Sequence, residues 1–278
     1  MPRRRIVPIL ACAVLLAASQ SGSAVRPGKN PGALAFIGSN GRGVVQVIDR
    51  PGAAPRELPA PPGSAQRVAW SRDGSRLAFT HVGTGVLSDG VYVVDRSGRH
   101  ERAMSSLPVA GRSMTFLASP SWSPDGREVV FTGNEPVSVY GVAQQSDLFV
   151  ATSDGKALRV LTALPGEEAY PTWSPDGSRI LFSYNPLLCC GLALWTVPST
   201  GGPPQPFGPA GWLGGSPSWS PSGDRVAFVG GPVNEPAALW VVRADGSRPV
   251  RIGDYHALDF LTPPVWSPDG RWLAWPCS

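Results

Sequence analysis

The stretch Trp-Ser-Pro-Asp-Gly at residues 122–126 decides the fold, because the chain repeats it. Two more intact copies stand at 173–177 and 266–270, and two altered copies stand at 70–74 and 219–223. Their Trp residues are 52, 51, 46 and 47 residues apart, which is a spacing typical of propeller blades. The structural repeat residues are Trp70, Trp122, Trp173, Trp219 and Trp266, with Gly74, Gly126, Gly177, Gly223 and Gly270.

Each copy of this pentad predicts a tight turn between two strands. Pro presets φ at its turn position, Asp hydrogen-bonds its own backbone, and Gly supplies the left-handed residue. Arg72 replaces Pro in the first copy, and Ser222 replaces Asp in the fourth. We therefore interpret the Asp residues of the pentads as turn residues rather than as ligands.

An apolar strand follows every turn. Each strand has an aromatic residue nine positions after the Trp, and the residues before it are apolar on both faces, as in strands stacked between neighbouring sheets. A third strand and a second Gly turn come next, and outer fourth strands stand at 158–161 and 250–252. The sequence therefore predicts an all-β fold class, a β-propeller of four-stranded antiparallel blades.

The recurring pentad with its apolar strand resembles the TolB-type, WD40-like propeller repeat family. The resemblance covers about residues 34–278 and implies an architecture rather than an activity. Only about ten residues separate the expected cleavage site from the first strand, so the N-terminal α/β domain of TolB is not expected, and its role in the Tol–Pal system does not carry over. Prolyl oligopeptidase propellers are also similar, but no hydrolase domain is expected here.

Residues 34–278 are predicted to form one propeller domain, most simply with five blades, because 245 residues divided by a mean repeat of 49 gives five. The strand near Trp266 is expected to complete the first blade and so close the ring. Strand counting gives 21 strands, one more than five blades need, and the TolB family usually has six blades. An incomplete six-bladed ring is therefore the alternative.

The N-terminus has the layout of a secretory signal peptide. Three Arg at 3–5 precede an apolar run at 6–18 and a small polar stretch at 19–24, so residues 1–24 are predicted to be removed and 25–33 to form a short linker. The 13-residue run is shorter than the roughly 20 residues of a membrane span. We expect a secreted or periplasmic protein without a membrane span; lipid attachment at Cys12 is the alternative.

Charge and motifs exclude several classes of function. Loss of residues 1–24 lowers the formal net charge from +4 to +1, so no nucleic-acid partner is expected. Gly-x-Ser-x-Gly, His-Glu-x-x-His and phosphate-loop motifs do not occur, and we predict no catalytic residue, no metal and no cofactor. The mature chain would keep an odd number of Cys (Cys189, Cys190 and Cys277), so no disulfide framework is expected.

The predicted site lies on the face opposite the Gly turns, where the long loops stand. Acidic and aromatic residues there suit a protein or carbohydrate partner. The alternative is that the aromatic residues pack against the following strands and that the acids are merely solvated. The candidate binding residues are Glu167, Glu168, Tyr170, Trp212, Tyr255, His256 and Asp259.

Two functions follow from this sequence. The first is a monomeric, non-catalytic module that binds another envelope protein or a cell-wall polymer. The second is a propeller hydrolase or lyase that acts on glycans or peptides with acids from the central channel. Three or more carboxylates or histidines at the mouth of the channel would favour the enzyme, and an apolar, aromatic mouth would favour the binding module.

Overall fold

The computed structural model describes residues 33–38, 43–50, 52–59, 63–83, 90–104, 116–134, 146–186, 191–255 and 263–275. These residues form strands joined by turns, and no helix occurs among them. The prediction of an all-β chain is confirmed. The described strands group into six consecutive units, of which the second to fifth have four strands each.

The bounds of the strands follow the repeat. The first three units contain β1 (Leu34–Gly38), β2 (Val44–Ile48) and β3 (Arg56–Glu57); β4 (Gly63–Trp70), β5 (Arg76–Gly83), β6 (Gly90–Asp95) and β7 (Arg102–Ala103); and β8 (Phe116–Trp122), β9 (Glu128–Asn134), β10 (Ser146–Thr152) and β11 (Leu158–Thr162). The last three contain β12 (Glu167–Trp173), β13 (Arg179–Asn185), β14 (Ala193–Pro198) and β15 (Gln205–Pro206); β16 (Trp212–Trp219), β17 (Arg225–Pro232), β18 (Ala238–Arg243) and β19 (Val250–Asp254); and β20 (Val265–Trp266) with β21 (Leu273–Ala274).

Each unit is an antiparallel meander in which every strand pairs with the next one along the chain. The pentad turn joins the first strand of a unit to the second, and its Gly has a positive φ of 66° to 75° in all five copies, a conformation that glycine adopts without steric cost. A single parallel bridge between Ser146 and Glu167 links the third unit to the fourth. Those two units therefore share one hydrogen-bonded sheet.

The core lies between successive units. The aromatic residue nine positions after the pentad Trp is at most 2% exposed in the second to fifth units (Phe79, Phe131, Phe182 and Phe228). Clusters cross the boundaries between units: Trp122 of the third unit packs with Val91 and Val93 of the second. Burial of each such aromatic ring contributes about 1.5–3 kcal/mol, so stacking of the units supplies most of the apolar stabilisation.

The ends of the chain do not pair with each other in the described residues. Strand β1 lies against β4, and β20 lies against β16. Strands β20 and β21 pair with one another, and no pairing to β1–β3 occurs in the described ranges. The expected completion of the first blade by the strand near Trp266 is therefore not seen, and the number of blades stays a prediction.

Candidate binding site: the axial channel

A channel of about 610 Å³ is lined by the first strands of five units, β4, β8, β12, β16 and β20. These strands lie in order against one another. Every unit contributes the same segment to the wall, from three residues before the pentad Trp to two residues after it. The segments are residues 67–72, 119–124, 170–175, 216–221 and 263–268, apart from Ser267 in the last. The repeat that builds the sheets therefore also builds the wall of the channel.

Three of these strands share an irregularity three residues before the Trp. Ser119, Tyr170 and Ser216 have positive φ values of 54°, 53° and 50°, and each is followed by Pro. The pairing register shifts at each of these positions, as in a β-bulge. A left-handed non-glycine residue costs about 1–2 kcal/mol. Because three units repeat this conformation, we regard it as a regular part of the repeat and not as an isolated distortion.

The bulges separate buried residues from residues that face the channel. The Pro after each bulge and the pentad Trp are buried, whereas the residue just before each Trp stays partly exposed on the wall. In three units that residue carries a hydroxyl group: Ser121, Thr172 and Ser218. The channel therefore offers hydroxyl groups at equivalent heights around its axis.

The charge on the wall comes from one unit. In the second unit the segment reads Arg-Val-Ala-Trp-Ser-Arg, and the charged side chains of the described wall are Arg67 and Arg72. The Arg67 guanidinium lies 6.0 Å from the centre of the Tyr170 ring in the fourth unit. Arg72 Nη1 donates a hydrogen bond of 3.1 Å to the carbonyl oxygen of Pro175, also in the fourth unit. Both arginines thus reach past the third unit, and the described wall is positive.

The five predicted site residues that the structure describes do not come together at one point. Tyr170 lines the channel. Trp212 is partly buried and makes an edge contact with Trp240, with ring centres 4.5 Å apart, and Tyr255 is 7% exposed and packs against Val229 and Leu239. Glu167 and Glu168 begin β12. His256 and Asp259 lie outside the described residues, as does much of the long-loop face: residues 84–89, 105–115, 135–145, 187–190 and 256–262.

Glu168 is buried at the boundary between the third and fourth units. Its Oε2 accepts hydrogen bonds from the backbone N–H of Leu148 at 3.1 Å and from the Thr162 hydroxyl at 2.7 Å. Burial raises its pKa to about 7, and the nearby buried carboxylate of Asp147 acts in the same direction. Glu168 therefore links two units through buried hydrogen bonds, and its carboxyl group titrates near neutral pH.

The Asp residues of the pentads bond within their own turns. Asp176 Oδ1 accepts hydrogen bonds from the Ser174 hydroxyl and from the backbone N–H of Ser178, and these bonds lower its pKa to about 2. In the copy that has Ser222 in place of Asp, Asp224 accepts from the hydroxyl groups of Ser220 and Ser222. Both acids are thus held as turn acceptors.

An arginine six residues after the pentad Trp contributes a contact that the sequence analysis missed. Arg76, Arg179 and Arg225 place their guanidinium carbons 4.9, 5.0 and 5.0 Å from the pentad Trp ring of the following unit. Each also donates to a backbone carbonyl of that unit. The spacing of six residues was the available signal, although the second copy has Glu128 and the fifth has Trp272 at this position.

Within the part of the chain that the structure describes, no helix has the length and apolar character needed to cross a bilayer.

Stacked four-stranded meanders around a channel lined by their first strands define the propeller class of repeat proteins. No family model matches the chain. It is similar to TolB: the solved TolB structure from Agrobacterium tumefaciens has a TM-score of 0.66 and 21% identity, with 90% of this chain and 87% of that one covered. A TolB homolog from Chlorobium luteolum is 28% identical over 114 residues, which are 41% of this chain and 22% of the homolog.

Enzymes that contain propellers are similar as well. An oligogalacturonate lyase solved in complex with manganese has a TM-score of 0.62 and 14% identity, with 88% of this chain and 67% of the lyase covered. An uncharacterized peptidase, YuxL, from Bacillus subtilis is 25% identical over 146 residues, which are 42% of this chain and 21% of the peptidase. The chain thus matches about a fifth of the length of each of the two curated relatives, YuxL and the TolB homolog. The solved structures establish the fold alone.

Proposed function

We propose that this chain is a non-catalytic binding scaffold of the TolB-like propeller type, which holds another envelope protein or a cell-wall polymer at one end of its axial channel. The wall of the channel carries the proposal. It combines hydroxyl groups, proline rings, the ring of Tyr170 and two arginines on a rigid frame. Such a mixture of aromatic and polar groups on a fixed scaffold suits recognition of a partner.

The proposed setting is outside the cytoplasm, with the chain acting as a monomer. The signal-like segment at residues 1–24 supports this location. The similarity to TolB supports a partner in the cell envelope. In this proposal the wall residues receive the part of the partner that enters the channel, and His256 and Asp259 remain candidate binding residues.

A second candidate is a hydrolase or lyase that acts on glycans or peptides through the long-loop face. The observation that favours it is the shared fold with an oligogalacturonate lyase, together with the partial match to a peptidase. In that case the acidic and imidazole groups predicted for the long-loop face, such as Glu167, His256 and Asp259, would do the chemistry.

A substitution that fills the channel tests the first function. Thr172 lies on the wall and is partly exposed, so Thr172→Tyr narrows the channel, whereas Gln205→Tyr adds the same ring on the exposed outer strand β15. With the signal-free protein as bait in an envelope fraction from its own source, we expect wild type and Gln205→Tyr to retain the same partner and Thr172→Tyr to lose it at an unchanged Tm. Equal retention by all three would refute binding at the channel.

An activity assay separates the two functions. The same three proteins are incubated with oligogalacturonate and Mn²⁺, and with peptide substrates. We expect no turnover. Turnover that Thr172→Tyr abolishes and Gln205→Tyr preserves would replace the binding module with the enzyme.

A further inference from the structure

The second unit departs from the repeat at both ends of its channel segment. Three residues before the pentad Trp it carries Arg67, where the other described units carry Ser, Tyr or Pro. Two residues after the Trp it carries Arg72, where the other four copies all carry the turn Pro. Pro presets φ at this position, so Arg72 replaces a residue that favours the turn. Neither arginine is required by the repeat, and both belong to the wall of the same channel.

The two arginines lie at opposite ends of the wall. Arg72 belongs to the pentad turn, and its Nη1 reaches the carbonyl oxygen of Pro175, in the turn of the fourth unit, at 3.1 Å. Arg67 begins its wall segment, and its guanidinium lies 6.0 Å from the centre of the Tyr170 ring. Five residues separate them, which is about 16 Å of fully extended strand. A ligand that contacts both arginines therefore extends along the wall.

The wall between the arginines offers hydroxyl groups and no negative charge. Thr172 and Ser218 are partly exposed there, and their hydroxyl groups have no hydrogen-bond partner within the described ranges. Ser121 Oγ accepts the backbone N–H of Trp173 at 3.3 Å, which leaves its own hydrogen to donate. No carboxylate occurs among the described residues that line this channel. A cleft lined by one sign of charge concentrates its field and attracts the opposite charge.

The inner strands add backbone groups to this wall. Strands β4, β8 and β16 each stand at the end of their sheet and pair on one side only in the part of the chain that the structure describes. The free edge of such a strand presents backbone N–H and C=O groups, which an extended peptide can bond. This edge favours a peptide as the occupant of the channel over a ligand that has no backbone amides.

Carboxylates stand just beyond the turn-side end of the wall. The pentad Asp residues, such as Asp125 and Asp176, follow the last wall residue of their segments. Hydrogen bonds within their turns lower their pKa, so they are ionised at neutral pH. These acids oppose the entry of an anion from the turn side and weaken the field of Arg72. Arg67, at the other end, is therefore the stronger anion-binding group.

We propose that the channel receives an acidic, extended segment of a partner protein, which enters from the Arg67 end. One carboxylate of the segment pairs with Arg67 and a second pairs with Arg72, and the hydroxyl groups of Thr172 and Ser218 donate to the segment between them. A guanidinium binds a carboxylate through two N–H groups, which fixes the position of the segment. An extended peptide advances about 3.3 Å per residue, so carboxylates four or five residues apart reach both arginines. This inference rests on the proposed function, because it names the chemistry of the part of the partner that enters the channel.

The test measures binding of hexaglutamate to the full chain by isothermal titration calorimetry, with hexaglutamine as the matched neutral peptide. We expect hexaglutamate to bind in a saturable way, more weakly as the salt concentration rises, and hexaglutamine to bind at least tenfold more weakly. Absence of hexaglutamate binding, or equal binding of the two peptides, would overturn the proposal. Tighter binding of an oligogalacturonate than of hexaglutamate would overturn a protein segment as the occupant.

Two variants restore the residues of the third unit. Arg67→Ser and Arg72→Pro introduce the residues that stand at 119 and 124, so both suit the fold. We expect Arg67→Ser to weaken hexaglutamate binding at least tenfold and Arg72→Pro severalfold. If either does not fold, Arg67→Gln or Arg72→Gln replaces it. The control Arg243→Ser/Arg248→Asn removes two charges from exposed positions outside the wall and is expected to change binding less than twofold. An equal loss in this control and in Arg67→Ser/Arg72→Pro would overturn pairing at the channel.

Retention of the partner separates this inference from the proposed function. Arg67→Ser/Arg72→Pro is used as bait beside Thr172→Tyr, and we expect both to lose the partner. If Thr172→Tyr loses the partner and the double variant retains it, the channel binds its partner without the arginines, and this inference alone fails. If both retain the partner, the proposed function of the channel fails as well.

Discussion

The boundary between the third and fourth units and the boundary between the fourth and fifth are held together by different chemistry. At the second of these, Arg179 lies over Trp219 and donates to the Ala244 carbonyl at 2.8 Å. At the first, the buried Glu168 accepts from Leu148 and Thr162, and a parallel bridge joins the sheets. On the turn side both boundaries have an arginine bonded to a carbonyl, since Arg159 donates to the Ser199 carbonyl at 2.8 Å. The boundary between the third and fourth units differs in lacking an arginine six residues after its pentad Trp and in having the buried Glu168 near the opposite ends of the strands.

This difference shows how a repeat protein tolerates the loss of a repeated contact. Glu128 breaks the pattern of arginines, and hydrogen bonds from the Glu168 segment join the same two units elsewhere. Apolar stacking is common to both boundaries and supplies the larger share of the stability. The polar contacts add to this apolar packing, and they differ from one boundary to the next.

The largest expected effect comes from the pentad Trp residues at the two boundaries. Trp219→Ala and Trp173→Ala each remove a nearly buried indole, and we expect each to lower the free energy of unfolding by about 3–5 kcal/mol. Trp219→Ala also loses the Arg179 guanidinium, so it is expected to cost about 1 kcal/mol more. Chemical denaturation of the two variants side by side measures the difference. A larger loss for Trp173→Ala would show that the arginine adds nothing to its boundary.

The pH dependence of stability is the next largest effect and belongs to the boundary with Glu168. Its pKa is raised to about 7 in the folded chain from 4.5 in the unfolded chain. Between these values the unfolded state releases the proton while the folded state keeps it, so the free energy of unfolding falls as the pH rises and is level above pH 7. The expected fall is roughly 3 kcal/mol.

Glu168→Gln is the matched variant for this prediction, because it keeps the shape of the side chain and cannot titrate. Denaturation curves of wild type and variant between pH 4.5 and 8 give the free energy of unfolding at each pH, and the difference between the two proteins is the contribution of Glu168. The pentad Asp residues have lowered pKa values and act only below about pH 4, outside this window. If the free energy of unfolding changed with pH in the same way in both proteins, Glu168 would not be the group that titrates at this boundary.

The sequence predicted the parts of the fold that are written in every repeat. The spacing of the pentads and aromatic residues led to the all-β chain, the four-stranded units and the total of 21 strands, which the described residues contain. It also predicted that the strand near Trp266 completes the first blade, and the described residues do not show this pairing, because a two-residue strand such as β20 has no pattern that selects its partner.

The site was less predictable than the fold. Tyr170 was singled out, but its position in the channel depends on the bulge at its positive φ, which a Tyr does not indicate in a sequence. The sequence predicts Glu168 as a binding residue of the long-loop face, whereas the structure buries it beside the bridge between two units that are adjacent only in the folded chain. The arginines six residues after the Trp were visible in the sequence, but their partners lie in the following unit.

The smallest expected effect isolates the arginine contact itself. Arg179→Ala removes the guanidinium from the Trp219 ring and from the Ala244 carbonyl, and we expect a loss of about 1–2 kcal/mol in the free energy of unfolding. Arg243→Ala, at an exposed position on β18 in the fifth unit, is the matched control and is expected to change stability by less than about 0.5 kcal/mol. Because the contact joins two units, the loss is expected to persist at high salt, where an exposed ion pair would be screened. Equal stability of the two variants would mean that stacking alone holds this boundary, and that the difference between the two boundaries lies only in the buried carboxyl group.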